Sequence, residues 1–337
     1  MAVSPSKKAP AKSTTTAAPK RVVRKVAPKT TGSVVQSAVL GEVSAFVPNI
    51  EKAKSYVHRD VHGVNDFAVL DHAMATRKNV LVMGDTGAGK TLWGEAFAAE
   101  RGYLYYSLAC DVAIDPSALM GRMVPTEVAG KYEWQDGPVT QIVRTGGVLN
   151  ISEVNFMPPK IAASLYPLLD GRRYLPLLGH KGEVVHAHEN LLVIADMNPQ
   201  YRGTIELNAA FKNRFELKVM WGYDNNVERQ LVKLPSLLAI ANKIRKMVGV
   251  EVSTPVSTNA LMEFEALATD TALGVDFAIG NFIAAFGADE RDAIRNVIEL
   301  ERDSLNRELA YVTGTNTDDF DEVVGFDYSD AEYVYEQ

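Results

Sequence analysis

Cysteine is nearly missing from this chain: Cys110 is the only one among 337 residues. A single thiol excludes an internal disulfide and a cysteine-built zinc cluster, and makes a reducing interior, the cytoplasm, the expected setting. Long apolar runs are missing as well. No stretch approaches the roughly 20 residues that a spanning helix needs, and the opening residues lack the apolar segment of a secretory signal, so no membrane partner is expected. Acids are missing before Val34, where eight Lys or Arg stand, and bases are missing from Asp318 onward, where eight Asp or Glu stand; the net charge of -7 conceals both tails. The hydrolytic signatures H-E-x-x-H and G-x-S-x-G do not occur. The pairs His58/His62 and His186/His188 find no third ligand in a familiar arrangement.

What remains is globular, and 47% hydrophobic with 23% charged residues suits a core plus a second, smaller domain. Residues 1–41, rich in Lys, Ala, Pro and Thr, bury too little to offset ordering entropy and are expected to form a disordered basic tail. Such an arm can hold the phosphate backbone of a nucleic acid, although it has no aromatic side chain to stack on bases. A solubilising tail is the other reading. Residues 46–222 alternate β-like runs with helix-length segments: NVLVM (79–83), YLYYSLA (103–109), GVLNIS (147–152), LLVIAD (191–196) and FELKVM (215–220). Five such runs predict an α/β core with a parallel five-stranded sheet covered on both faces. Gly-punctuated pairs at 122–137 and 172–189 predict β-hairpins inserted into it. Residues 223–310 predict a C-terminal helical lid, in which STPVSTNALMEFEALA opens a helix at a Ser/Thr cap. The acidic tail, 311–337, carries Phe320, Phe326, Tyr328, Tyr333 and Tyr335, so both docking on a partner and a solvated tail stay open.

Chemistry concentrates directly after NVLVM, where GDTGAGKT runs from Gly84 to Thr91 and leads into the helical LWGEAFAAE. This is G-x-x-x-x-G-K-[ST] in the strand–loop–helix setting that it requires. Glycines let the backbone N–H groups of Gly84, Asp85, Thr86, Gly87, Ala88, Gly89, Lys90, Thr91 and Leu92 turn around phosphate oxygens, and the helix N-terminus adds its positive end. Lys90 would reach the β- and γ-phosphates while the Thr91 hydroxyl meets magnesium, so ATP and Mg2+ are the expected cofactors.

With this loop come DPSALMGR (115–122), EWQDGPVTQIVRTGGVL (133–149), SEVNFMPPKIAASLYPLLDGRRY (152–174) and LLVIADMNPQYRGTIELNAAFKNRF (191–215). In order and spacing the chain resembles the AAA+ ATPases over roughly residues 50–220, and specifically their MoxR-like branch, with likeness also to activators of metalloenzymes and the ATPase subunit of cobalt chelatase. The resemblance implies that Glu153 orients the attacking water. It further implies that Asn198 senses the γ-phosphate and that Arg214 is a finger inserted into a neighbouring subunit's site. A homo-oligomeric ring, a hexamer, would follow, acting as a chaperone-like remodeller of a protein client, one with a metal-dependent adhesion-type domain being the family's habit. The alternatives are a nucleotide-gated, nucleic-acid-binding ATPase using the basic tail, or a weakly hydrolysing ATP switch.

Two positions depart from the resembled pattern. Ser152 stands where an aspartate holds the magnesium's water shell, and Asn259 stands where the lid supplies a sensor arginine. Asp196, two residues before Asn198 on the same face of the neighbouring strand, is the candidate replacement for the missing acid. A solvated or capped aspartate is the competing reading. The expected metal-facing set is therefore Thr91, Ser152 and Asp196.

Overall fold

The structure, a computed structural model, describes Met1 and residues 46–111, 115–199 and 207–314. The expected basic tail and nearly all of the acidic tail lie outside these residues. Five strands make the central sheet: β1 (Val80–Gly84), β2 (Tyr105–Ala109), β3 (Gly147–Ser152), β4 (Leu191–Met197) and β5 (Leu217–Trp221). Their order is β5–β1–β4–β3–β2, and every neighbouring pair is parallel. The α/β core expected from the alternating pattern is thus present.

The apolar runs form strands because both faces of this sheet are covered, which removes the polar alternation of a half-exposed strand. All seven residues of β4 are buried, as are the first five of β3. Successive side chains go to opposite faces. Val80, Val82, Val148, Leu192 and Ile194 pack with Trp93 and Phe97 of helix α1 (Lys90–Arg101). Leu81, Leu149, Ile151, Val193 and Ala195 pack on the other face with Ile142, Ile161 and Leu165. By the same alternation Asn150, Ser152 and Asp196 fall on the face that carries α1. That places them beside the loop that precedes it.

Two antiparallel hairpins leave the core, Gly121–Pro125 with Tyr132–Asp136 and Tyr174–Leu177 with Glu183–His186. They meet where the Trp134 ring stacks on His180 at 4.8 Å and 6°. A third, very short pair, Asp60–Val61 with Val64–Asn65, was not expected. Its turn holds His62 and Gly63 at positive φ (53° and 81°), the conformation a two-residue hairpin loop needs.

Beyond β5 the chain is helical: α2 (Asn225–Leu231), α3 (Pro235–Lys246), α4 (Thr258–Thr269), α5 (Gly274–Ala284) and α6 (Arg291–Val312). Leu237, Ile240, Ala241 and Ile244 repeat at helical spacing on α3 and join Leu261, Phe264, Phe282, Ile294 and Ile298 in a hydrophobic core separate from those of the sheet. The Ser257 hydroxyl caps α4 by accepting from the Ala260 N–H at 3.1 Å. No helix among the described residues is long and apolar enough to cross a membrane.

Candidate functional site

The loop from Gly84 to Thr91 leaves the carboxyl end of β1, where open α/β sheets place ligands. Gly84 allows a close backbone approach, since a Cβ built there would fall 1.7 Å from the carbonyl oxygen of Trp221. Ala88 is buried, and its carbonyl accepts from the Trp221 indole at 2.9 Å and from Arg59 at 2.6 Å. Gly89 is the residue before helix α1, and no side chain caps the helix. Without a side-chain cap, its first N–H groups are suited to an anion.

Lys90 is buried at the first position of α1, with its ammonium donating to the carbonyls of Gly84 (2.9 Å) and Asp85 (2.6 Å). Burial pulls its pKa below the ordinary lysine value, and the charges of Asp196, Asp85 and Glu153 work against that fall. Leu92 is half-buried in the same first turn.

Three oxygen-bearing side chains converge next to Lys90. Thr91 Oγ1 lies 3.4 Å from Asp196 Oδ2 and 3.5 Å from Ser152 Oγ, and Ser152 Oγ lies 3.3 Å from Asp196 Oδ1. These separations exceed the roughly 2.7–2.8 Å of a close O–H···O bond. The groups share a small polar space and are joined only by long hydrogen bonds. Two hydroxyls and one carboxylate are hard oxygen donors, and few enough to leave water on the ion, so the set fits Mg2+. Asp196 is 2% exposed at the end of β4 and is further held by the Glu153 N–H at 3.2 Å and by Asn150 Nδ2 at 3.2 Å.

Glu153 follows Ser152 in the left-handed region (φ 53°, ψ 47°), with its side chain exposed and its charge acting on Lys90. A non-glycine residue held there is strained, a feature that gathers at functional sites. Asn198, just past β4, donates to the Thr86 hydroxyl at 2.9 Å, so it touches the phosphate loop directly. Cys110 pairs its N–H with the Ser152 carbonyl at 3.0 Å, and burial, aided by the charges of Asp196 and Glu153, pushes its thiol up to about 12.

Arg214 stands elsewhere. Its carbonyl accepts from the side chain of Asn79, the residue before β1, whereas the phosphate loop follows that strand. The backbone of Arg214 and the loop therefore lie at opposite ends of β1. Its guanidinium sits 3.9 Å over the Tyr166 ring and donates to the Ala210 carbonyl. Asn259 belongs to the lid side of the site: a Cβ on Gly87 would fall 2.6 Å from Ser257 Cβ and 3.9 Å from Asn259 Nδ2.

Two residues went unnoticed in the sequence. Arg59 lies 4.6 Å over the Trp221 ring, donates to Ala88 and Gly222 carbonyls, and is pulled below its ordinary pKa by burial. Tyr223 donates to the Thr86 carbonyl at 2.9 Å. Neither belongs to a local motif. His58 instead bonds the buried Asp66 at 3.0 Å, and no cluster of three or more His, Cys, Asp or Glu among the described residues is arranged to hold a metal.

Residues 79–215 match the AAA domain of the dynein-related subfamily. An uncharacterized protein of Staphylococcus saprophyticus is 32% identical over 263 residues, covering 73% of this chain and 98% of that protein. One from Staphylococcus haemolyticus is 32% identical over 262 residues, covering 73% and 97%. Among solved structures, NtrX from Brucella abortus in complex with ADP shares 15% identity at a TM-score of 0.42, over 74% of this chain and 64% of that one.

Proposed function

The chain belongs to the AAA family, and from that premise we propose that it is a magnesium-dependent ATPase working as a homo-oligomeric ring on a protein client. The observation that carries this reading is the meeting of Lys90, Thr91, Ser152 and Asp196 beside a helix N-terminus without a side-chain cap, with an exposed Glu153 directly after Ser152. The loop N–H groups and Lys90 hold the β- and γ-phosphates. Thr91 and Asp196 hold the metal through hydroxyl, carboxylate and water, with Ser152 closing the set. Magnesium, when bound, supplies positive charge to the phosphate oxygens as the anhydride breaks. Glu153 orients the attacking water, and Asn198 contacts the γ-phosphate from the tip of β4.

Arg214 is held at the end of β1 opposite its own loop, which supports a role in neutralising charge in the site of the next subunit. That role supports a closed ring, a hexamer. The motif order quoted above supports placement in the MoxR-like branch, and with it a chaperone-like remodeller whose client carries a metal-dependent adhesion-type domain. Asn259 removes a cation from the resembled pattern, which supports slow turnover. The eight bases before Val34 favour a second reading, nucleic-acid binding gated by nucleotide.

The test is Mg-ATP binding followed by thermal shift, because a ligand of the folded state raises its stability by mass action. Wild type and Glu153→Gln are expected to be stabilised and Lys90→Ala not, with ATP turnover confined to wild type. Equal stabilisation of Lys90→Ala overturns the phosphate-loop assignment.

A further inference from the structure

The acid delivered by β4 has a support on β3. Asn150 is wholly buried between Leu149 and Ile151, both also 0% exposed. An amide at the centre of a sheet is costly unless it is hydrogen-bonded, and an aliphatic side chain is what a buried parallel strand ordinarily takes there. Asn150 pairs in register with Ile194, so Asp196 is its diagonal neighbour on the same face. Its Nδ2 donates to Asp196 Oδ2 at 3.2 Å, while its Oδ1 has no partner among the described residues. The bond to Asp196 is what the amide obtains at that position.

The carboxylate is thus gripped from β3 on both oxygens. Oδ1 accepts from Ser152 Oγ and the Glu153 N–H, and Oδ2 accepts from Asn150 while facing Thr91 Oγ1. An aspartate at position 152 would project from β3 itself and would need no such grip. One placed on β4 must be turned across the strand boundary and kept there.

We propose that Asn150 is the positioning residue that turns the Asp196 carboxylate toward Thr91, so that Asn150, Ser152 and Asp196 form one transposed unit doing the work of a single aspartate at the end of β3. The proposal rests on reading Asp196 as the metal's acid. Asn150 itself does not touch the ion. Its contribution is orientation, made through one hydrogen bond to a charged acceptor.

The experiment is titration of the full chain with a fluorescent ATP analogue, in EDTA and over a magnesium series, for wild type, Asn150→Leu, Asp196→Asn and the double variant. Asn150→Leu is expected to leave affinity in EDTA within about twofold and to raise the magnesium needed for half-maximal tightening by roughly tenfold, the scale of one charge-assisted hydrogen bond. Added to Asp196→Asn, it is expected to change nothing further, because both act on one group. A triple variant, Asn150→Leu with Ser152→Asp and Asp196→Thr, is expected to recover the wild-type magnesium requirement. Asn150→Ala removes the donor without bulk and serves the same comparison if leucine does not fit. An equal loss of affinity in EDTA and in magnesium, or an unchanged magnesium requirement while Asp196→Asn shifts it, overturns the role of Asn150. If Asp196→Asn alone shifts nothing, the reading of Asp196 fails first and takes this one with it.

Discussion

The Tyr223 hydroxyl donates to the Thr86 carbonyl at 2.9 Å, tying the segment just before the lid helices to the phosphate loop. Behind it the Arg245 guanidinium lies 3.9 Å over the Tyr223 ring. Arg245 bonds both oxygens of Glu228 (2.7 and 2.8 Å) and the carbonyl of Val256, next to the Ser257 that packs on Gly87. The loop is therefore bonded at Thr86 by Tyr223 and closely approached at Gly87 by Ser257. The Thr86 hydroxyl also accepts from Asn198, so Thr86 is bonded both from the end of β4 and from the segment before the C-terminal helices.

Tyr223→Phe keeps the ring on Arg245 and removes only the bond to Thr86. Nucleotide affinity is expected to fall roughly fivefold, for about 1 kcal/mol, with the unfolding temperature of the nucleotide-free protein little changed. Isothermal titration checks it. An unchanged affinity would mean that this bond does not hold the loop in its binding form.

Arg245 and Glu228 have side chains only 3% and 1% exposed, and Thr258 donates to the same carboxylate at 2.7 Å. Glu228→Gln leaves the arginine charge buried and uncompensated, at an expected cost of about 3–5 kcal/mol. Replacing both partners, as Arg245→Met with Glu228→Leu, is expected to recover much of it. Denaturant unfolding of the single and double variants measures the difference.

Arg214→Ala is expected to leave ATP binding intact and to suppress turnover, as is Glu153→Gln. Mixing the two inactive proteins is expected to restore part of the activity, because some interfaces then pair an intact Glu153 with an intact Arg214. No recovery despite demonstrated subunit exchange removes Arg214 from the trans role.

The elements most legible in the sequence were those whose chemistry forces the pattern. A phosphate loop must space its glycines and lysine as GDTGAGKT does, and a doubly covered strand must read as an apolar run, as β3 and β4 do. Asp196 was legible too, because alternation along one strand and the adjacency of two fixes its face. Arg59 was not, since its partners Ala88 and Gly222 are 29 and 163 residues away. Tyr223 and Asn150 likewise acquire their roles only from contacts across the fold. The short pair around His62 and Gly63 did carry a signal, a His-Gly dipeptide between two valines, which helical spacing of His58 and His62 obscured.

The central claim is that the metal's acid comes from β4, and the most direct measurement is the magnesium dependence of ATP hydrolysis by Asp196→Asn beside wild type. The carboxylate is 2% exposed and within 3.4 Å of Thr91 Oγ1. Its removal is expected to raise the magnesium needed for half-maximal turnover by at least about tenfold, the scale of one strong polar contact, and Ser152→Asp is expected to restore much of the loss. Turnover by Asp196→Asn with an unchanged magnesium requirement would contradict the claim.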